Sequence, residues 1–293
     1  MKAVVILALL AIAISHPVNK RFANYLRKNV KWQVADPSKN KFRDWTMEEI
    51  KALMNVKPRN PHKDRPIKFK KPNFPEYDFR EFYPECVMPI RDEQNCGASW
   101  SFAPVTSYEQ RLCMYTDFRG LLSVQDPISC CKENDGCNGG TMDAIMDYLK
   151  STGVVDNDCF PFSAGEGDVE ACPDKCKNGQ PWTKYIIDDW INMWMLEDIL
   201  NDLVNYGPNT TTLEVYEDFM NYMGGIYEYF GGDYLGMIAA TVIGYGEDDF
   251  DPERIYLICQ NDWGDEWGEF GYFEIYADQC RIGKEAYSVW PKM

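Results

Sequence analysis

The chain has 293 residues, 45% of them hydrophobic, and is therefore long enough to bury a substantial core, in one lobe or in two. Its 46 acidic and 30 basic residues give a formal net charge of −16 at pH 7. The length and composition exclude a peptide hormone or a disordered tail. The acidic balance speaks against a nucleic-acid partner, because such a partner requires a surface that neutralises phosphates.

The first fifteen residues have the composition of a secretory signal peptide. Lys2 supplies a positive start, an uncharged apolar stretch covers residues 3–14, and the small residue Ser15 follows it. The stretch is too short to span a bilayer as a helix and no later stretch is as long, so we predict no transmembrane segment. A buried core helix is the alternative interpretation. The signal peptide predicts the secretory pathway, with an extracellular or a lysosome- or vacuole-like destination.

The rest of the chain divides into two blocks of opposite charge. Residues 17–72 carry a net charge of +11, whereas residues 73–293 carry −28. A break of this size indicates a boundary between two parts of the chain. We call residues 16–72 the leader and residues 73–293 the body. The end of the leader is rich in Lys and Pro, which predicts an extended linker over residues 57–75.

Eleven cysteines indicate an oxidising compartment and a framework of disulfides. All of them lie in the body, and eight fall between residues 86 and 172. The first half of the body is therefore predicted to be the more heavily cross-linked half. An odd number of cysteines leaves at least one thiol unpaired.

Helical patterns come first along the chain. The leader shows helix-like spacing of apolar residues within residues 17–55. In the body, the spacing of apolar residues and the glycines that follow predict helices over residues 100–115, 140–153 and 194–206.

Strand-like runs dominate the end of the body. They cover residues 241–245, 255–259 and 272–276 and are separated by Gly and Asp turns. We therefore predict an α+β body, mainly helical over residues 73–207 and mainly β over residues 208–293.

Pro104 lies within the first predicted helix of the body. In a helix interior it removes the hydrogen bond to the carbonyl of Trp100. Two arrangements are compatible with this: the helix starts later, with Ser101 as its N-cap, or it starts earlier and bends.

The segment Cys96-Gly97-Ala98-Ser99-Trp100 opens this helix. It resembles the Cys-Gly-[Ser/Ala]-Cys-Trp signature of the papain-like cysteine proteases, in which the second cysteine is the nucleophile. The thiol of that cysteine loses its proton because the helix N-terminus and a neighbouring imidazolium both favour the thiolate. Ser99 occupies the nucleophile position in this chain.

Further matches extend the resemblance over nearly the whole chain. Residues 130–140 resemble the family's Cys-Cys…Cys-Asn-Gly-Gly stretch, and residues 261–273 resemble its Asn-Ser-Trp…Trp-Gly…Gly-Tyr-Phe block. The adjacent Cys130 and Cys131, together with the short leader, point to the cathepsin B branch. The resemblance implies a two-lobed α+β papain-like fold, with a helical, disulfide-rich lobe and a β-rich lobe.

The catalytic positions that the resemblance assigns are altered. Ile238, six residues before Gly244, stands in the position of the catalytic histidine. Glu93 stands in the position of the glutamine that donates to the oxyanion, although a shift by one residue would place Gln94 there. A carboxylate at this place would repel a developing oxyanion. Asn261, which orients the histidine in the family, is retained.

The histidine count supports the same conclusion without any alignment. The sequence contains two histidines, His16 and His62, and neither lies in the body. A serine hydroxyl without a general base is a weak nucleophile near neutral pH. Removal of a nucleophile or its base leaves only residual catalysis. We therefore expect no catalytic function of the four family-equivalent positions, which are Glu93, Ser99, Ile238 and Asn261.

The resemblance also implies a peptide cleft and a set of disulfides. The cleft would be lined by Trp100, Gly139, Gly140, Trp263 and Trp267. The implied disulfides are Cys86–Cys113, Cys96–Cys137, Cys130–Cys172 and Cys159–Cys176. Three cysteines would be left over, namely Cys131, Cys259 and Cys280. Burial as a free thiol and a mixed disulfide are both open for Cys131.

These observations predict a cathepsin B-like protein that is proteolytically inactive, a pseudoprotease. It would bind extended peptides or cystatin-like inhibitors without cleaving them, with its own leader, the propeptide of the family, as a further partner. A structural or surface protein with a vestigial cleft is one alternative, and a residually active peptidase that uses Ser99 is another. We expect neither a cofactor nor a metal.

Overall fold

The computed structural model describes residues 16–58 and 75–292. The predicted signal peptide, most of the predicted linker and His62 lie outside these residues. None of the helices in the described ranges is long and apolar enough to cross a bilayer.

The leader folds as two short helices joined by an extended segment. Helix α1 (Lys20–Asn29) begins at the N-cap Asn19, and helix α2 (Met47–Leu53) begins with a capping box at Thr46. Strand β1 (Gln33–Val34) lies between them and pairs with a strand of the body. The helical pattern predicted within residues 17–55 therefore corresponds to two separate helices.

Helix α4 (Ser99–Tyr115) is the central helix of the body, and fifteen of its seventeen residues are buried. Ala98 is its N-cap and Pro104 lies inside it, so the later start at Ser101 is wrong. The Ser101 hydroxyl instead donates to the carbonyl of Val124 at 2.9 Å. Packing on nearly all sides holds the helix, so the loss of one hydrogen bond at the proline is tolerated. The helices of the body are α3 (Phe79–Phe82), α4 (Ser99–Tyr115), α5 (Gln125–Cys130), α6 (Met142–Ser151) and α7 (Leu196–Tyr206).

The described strands of the body, except for β5 (Tyr222–Gly224), form a large, mostly antiparallel sheet. The described strands of the body are β2 (Tyr77–Asp78), β3 (Ile187–Met193), β4 (Asn209–Tyr216), β5 (Tyr222–Gly224), β6 (Ile226–Tyr227), β7 (Tyr234–Glu247), β8 (Ile255–Gln260), β9 (Tyr272–Tyr276) and β10 (Ala286–Pro291). The strand order in the sheet is β3-β10-β4-β7-β8-β9-β6, with β2 paired to β7, while β5 pairs with β1 of the leader. Strands β7, β8 and β9 contain the three runs predicted from the sequence. The sheet also takes β3 from the part of the body before residue 208.

Two large hydrophobic clusters form the cores of two lobes. One is built around α4 and α6 and the other around the sheet, where the leader residues Phe22, Phe42 and Leu53 are also buried. Strand β7 lies between them, with Ile238 in the sheet core and Ala239 in the helical core, because successive side chains of a strand point in opposite directions. The architecture confirms the predicted two-lobed α+β fold.

Four disulfides cross-link the body, in the pairs that the resemblance implies. They are Cys86–Cys113, Cys96–Cys137, Cys130–Cys172 and Cys159–Cys176. Cys131 and Cys259 are buried free thiols, and Cys280 is a partly buried one.

Candidate active site

The candidate site lies where the start of α4 meets strand β7. Ser99 is the first residue of α4, and only 1% of its surface is exposed. Its hydroxyl oxygen accepts a hydrogen bond from the backbone N–H of Ala239 at 3.1 Å. Ile238, the residue before Ala239, is fully buried. The fold therefore brings together the two positions that the resemblance assigns to the nucleophile and the histidine.

The described residues place no imidazole at this site. His16 hydrogen-bonds within the leader, to the backbone of Val18 and Trp45. Over residues 75–292 the body contains no histidine at all. Within the described parts of the chain, the Ser99 hydroxyl hydrogen-bonds to no side chain that could act as its general base.

Glu93 lies beside the start of α4 and is completely buried. Its Oε2 accepts a hydrogen bond from the Ala98 N–H at 2.7 Å, and its Oε1 accepts one from the indole N–H of Trp263 at 2.9 Å. Gln94 is exposed and its side chain lies against Gly165. Glu93, rather than Gln94, is therefore the residue whose side chain reaches the start of the helix.

Three acidic side chains, Asp92, Glu93 and Asp262, form what we call the carboxyl group cluster. Burial raises the pKa of Glu93 well above its usual range, and the charge of Asp262 raises it further. Burial also raises the pKa of Asp262, and the charge of Asp92 adds to this. Burial thus favours the neutral acid form of Glu93, because the low dielectric of the interior disfavours a charged carboxylate.

The cluster is contacted by a lysine from the leader. The Lys41 ammonium donates to Asp92 Oδ1 at 2.6 Å and to the backbone carbonyl of Trp263 at 2.7 Å. One positive charge can balance one carboxylate, so the two buried acids are the ones expected to keep their protons.

The leader itself runs through the cleft in extended form. The N–H of Val56 donates to the carbonyl of Met237 at 3.1 Å on one wall. On the other wall, the Gly140 N–H donates to the carbonyl of Asn55 at 3.3 Å, and the Lys57 N–H donates to the carbonyl of Gly140 at 2.8 Å. The cleft therefore holds a peptide by backbone hydrogen bonds from both lobes.

Two glycines permit this close approach. A Cβ atom on Gly97 would lie 2.0 Å from the carbonyl oxygen of Ala52, and one on Gly139 would lie 2.1 Å from the carbonyl oxygen of Asn55. Gly139 also has a φ of 105°, which other residues rarely adopt. Gly140 differs from them, because its Cβ would collide first with Asn134 and Trp100 of the body rather than with the leader.

The three tryptophans predicted to line the cleft are buried in this structure. Trp100, Trp263 and Trp267 are each 2% exposed or less. Trp263 packs edge-to-face against Phe42 of the leader, with ring centroids 5.3 Å apart. Its surface is therefore covered by the leader.

Asn261 lies between the sheet and the carboxyl group cluster. Its side chain is buried, and neither its amide nitrogen nor its amide oxygen has a hydrogen-bond partner among the described residues. In this setting the amide orients no imidazole.

Two residues of the site were missed by the sequence analysis. Asp262 had a visible signal, since it stands where the resemblance places a serine between Asn261 and Trp263. Lys41 had none, because its contact with Asp92 joins residues 51 positions apart. Residues 16–58 and 75–292 include no group of three His, Cys, Asp or Glu side chains placed to hold a metal ion.

The chain is similar in sequence to several known proteins. The sequence profile of the papain family cysteine proteases matches residues 74–290. Cathepsin B-like CP1 of Giardia intestinalis is 35% identical over 223 residues, which cover 74% of this chain and 73% of the relative. Cathepsin B-like CP2 of the same organism is 31% identical over 278 residues, which cover 89% of each.

Among solved structures, proCathepsin B S9 from Trypanosoma congolense has a similar fold. It superposes with a TM-score of 0.86 over 95% of this chain and 100% of that chain, at 24% sequence identity. The superposition covers both the leader and the body of this chain. Together with the profile match, these relatives establish that the chain belongs to the papain family of cysteine proteases and has cathepsin B-like homologues.

Proposed function

We propose that this protein is a pseudoprotease, which holds an extended peptide in its cleft without cleaving it. The contact at Ser99 carries the proposal. Its hydroxyl oxygen is paired with the backbone N–H of Ala239, and the residue before Ala239 is the fully buried Ile238. An N–H group is a donor, so it can stabilise the oxygen but cannot take up the hydroxyl proton that a nucleophile must lose.

The bound leader supports the peptide-binding half of the proposal. The hydrogen bonds of Asn55, Val56 and Lys57 involve only backbone groups of the cleft. These contacts need no catalytic side chain, so they persist although the nucleophile and the histidine are replaced. Extended peptides and cystatin-like inhibitors are the ligands we propose for a cleft freed of the leader.

A residually active peptidase is the second candidate, and Glu93 is the nearest acidic side chain that could act as its base. Both oxygens of Glu93 already accept hydrogen bonds, from Ala98 and from Trp263. Neither oxygen has a hydrogen bond to Ser99. This arrangement favours the pseudoprotease.

The catalytic half of the proposal is tested with the full chain. A recognition sequence for a site-specific protease is inserted after His62, so that the leader can be cut from the body on demand. Cut and uncut protein are then incubated with a fluorogenic peptide library and with a fluorophosphonate probe. We expect the rate to equal that of the matched Ser99→Ala variant. Hydrolysis or labelling that disappears in Ser99→Ala would refute the proposal.

The binding half needs a separate measurement. A fluorescent peptide with the sequence of residues 50–58 is added to cut protein from which the leader has been removed, and its anisotropy is recorded. The same peptide methylated at the Val56 nitrogen lacks the N–H that meets Met237. We expect it to bind about tenfold more weakly, as for the loss of one buried hydrogen bond. Equal affinity of the two peptides would favour the vestigial cleft.

We also infer that the protein travels the secretory pathway and ends outside the cell or in a lysosome- or vacuole-like compartment. The four disulfides support an oxidising environment. Sequencing the N-terminus of the protein from its native source tests this, because cleavage near residue 15 is expected and an intact Met1 would contradict it.

A further inference from the structure

We propose that the carboxyl group cluster beside the altered catalytic position is a binding site for a lysine side chain, with Lys41 as its resident ligand. The leader would then stay on the body as a non-covalent subunit even after the linker is cut. The proposal deepens the proposed function, since it assigns a new role to the same site. It depends on how the leader is held and not on whether peptides are cleaved.

The contacts of Lys41 are those of a built site. Its ammonium lies 2.6 Å from Asp92 Oδ1 and 2.7 Å from the carbonyl oxygen of Trp263, and its side chain is only 12% exposed. Asp92 is 38% exposed and forms the rim. An ion pair shielded on one side from water is screened less by salt than an exposed pair.

A second observation comes from Asp262. Its side chain belongs to a residue that is 5% exposed, and neither carboxyl oxygen has a hydrogen-bond donor in the described parts of the chain. The charge of Lys41 lowers the pKa of both Asp262 and Glu93, against the effect of burial. The lysine therefore lies near both buried acids, although the carboxyl group that it contacts directly is that of Asp92.

Phe42 extends the anchor into the core. It is fully buried, and its ring packs edge-to-face on Trp263 and on Trp45, each with centroids 5.3 Å apart. Trp263 thus contacts Lys41 through its backbone carbonyl and Phe42 through its ring. The consecutive cationic and aromatic side chains form one anchor, in which the ring supplies apolar burial and the ammonium supplies a specific polar contact.

The site favours lysine over arginine. Its acceptors are one carboxylate oxygen and one backbone carbonyl, which suit the compact ammonium group. A guanidinium requires acceptors arranged for a planar fork. Lys41→Arg should therefore hold the leader less well than lysine does, although the charge is retained.

The test uses the full chain with the cleavable linker described above. After cutting, the dissociation of the leader is followed by size-exclusion chromatography and by surface plasmon resonance with the body immobilised. Lys41→Met is compared with Lys39→Met, an exposed lysine two residues away that gives the same change of charge. We expect wild type and Lys39→Met to retain the leader, and Lys41→Met to release it at least about 30-fold faster.

Release at equal rates from Lys41→Met and Lys39→Met would overturn the proposal. If Lys41→Met fails to fold, Asp92→Asn on the rim removes the same ion pair and is expected to accelerate release in the same way. A fluorogenic peptide assay on the cut samples separates the two proposals. Hydrolysis there would refute the pseudoprotease, whereas the release rates alone decide the lysine site.

Discussion

Replacement of Asp262 by asparagine tests the electrostatics of the site. The side chain is almost completely buried, and burial raises its pKa in the folded protein. Asparagine has nearly the same shape and cannot ionise. Since no described donor contacts the Asp262 oxygens, the substitution breaks no hydrogen bond of the described structure.

The expected magnitude follows from proton linkage. In the unfolded chain an aspartate has a pKa of about 3.9, below the raised value in the folded state. Between the two values the folded protein binds a proton that the unfolded chain has lost, so the free energy of unfolding falls as the pH rises. One proton contributes a slope of about 1.4 kcal/mol per pH unit, or about 3 kcal/mol from pH 5 to pH 7.

Asp262→Asn removes this contribution, so the free energy of unfolding of the variant should fall less steeply as the pH rises. The free energy of unfolding of the variant minus that of the wild type is expected to be about 3 kcal/mol higher at pH 7 than at pH 5. Glu93 keeps a contribution of the same sign, because its pKa is also raised by burial, although less so once the charge of Asp262 is gone. Stability of the wild-type protein should accordingly be greater at pH 5 than at pH 7 as far as these two groups decide it.

Urea unfolding followed by tryptophan fluorescence at pH 5 and pH 7 measures the difference. Asp265→Asn is the matched control, because it makes the same change of charge at an exposed position three residues away. A change in the free energy of unfolding that is equal at the two pH values would refute the reasoning. It would mean that Asp262 is ionised in the folded protein as readily as in the unfolded chain.

Three further predictions concern the core, the leader and the nucleophile position. Arg111→Met removes the ion-pair partner of the fully buried Asp202 and should lower the free energy of unfolding by about 3–5 kcal/mol in urea titrations; a loss below about 1 kcal/mol would contradict a buried charge pair. Gly97→Ala places a Cβ atom 2.0 Å from a leader carbonyl oxygen. The leader of the cut protein should therefore dissociate about tenfold faster while the melting temperature of the isolated body is unchanged, and an unaltered dissociation rate would disprove the close approach. Ser99→Cys combined with Ile238→His should react with iodoacetamide at pH 6 about tenfold faster than Ser99→Cys alone, because a neighbouring imidazolium lowers the thiol pKa. Equal rates, measured by mass spectrometry, would show that a side chain at position 238 does not reach the thiol.

Local sequence patterns predicted the bounds of several elements of the body closely. Helix α6 and strands β8 and β9 lie within one or two residues of the predicted ranges. Helix α4 begins one residue before the predicted range of 100–115, and of the two arrangements that Pro104 left open the later start at Ser101 was wrong. The short pairing of β1 with β5 was not predicted, because it depends on a contact between leader and body.

Some features of the candidate site were predicted from the sequence, and others were decided only by the structure. The family resemblance assigned Ser99 and Ile238 to the positions of the nucleophile and the histidine, and in the fold Ser99 contacts Ala239, the residue after Ile238. Spacing left open whether Glu93 or Gln94 faces the helix, since a shift of one residue satisfies the motif equally well. Burial decides this, because Glu93 is enclosed and Gln94 is exposed.

The sequence by itself predicted the family and the α+β class, because residue identities at fixed spacings carry that information. The family resemblance then implied the disulfide pairs and the assignment of Ser99 and Ile238 to the positions of the nucleophile and its base. Only the tertiary structure decided that Glu93 and Asp262 are buried acids and that Lys41 contacts the carboxyl group cluster. The net charge of −16 gave no sign of this arrangement. Protonation and ion pairing depend on the local dielectric and on neighbours distant in sequence, and both are fixed only when the chain packs.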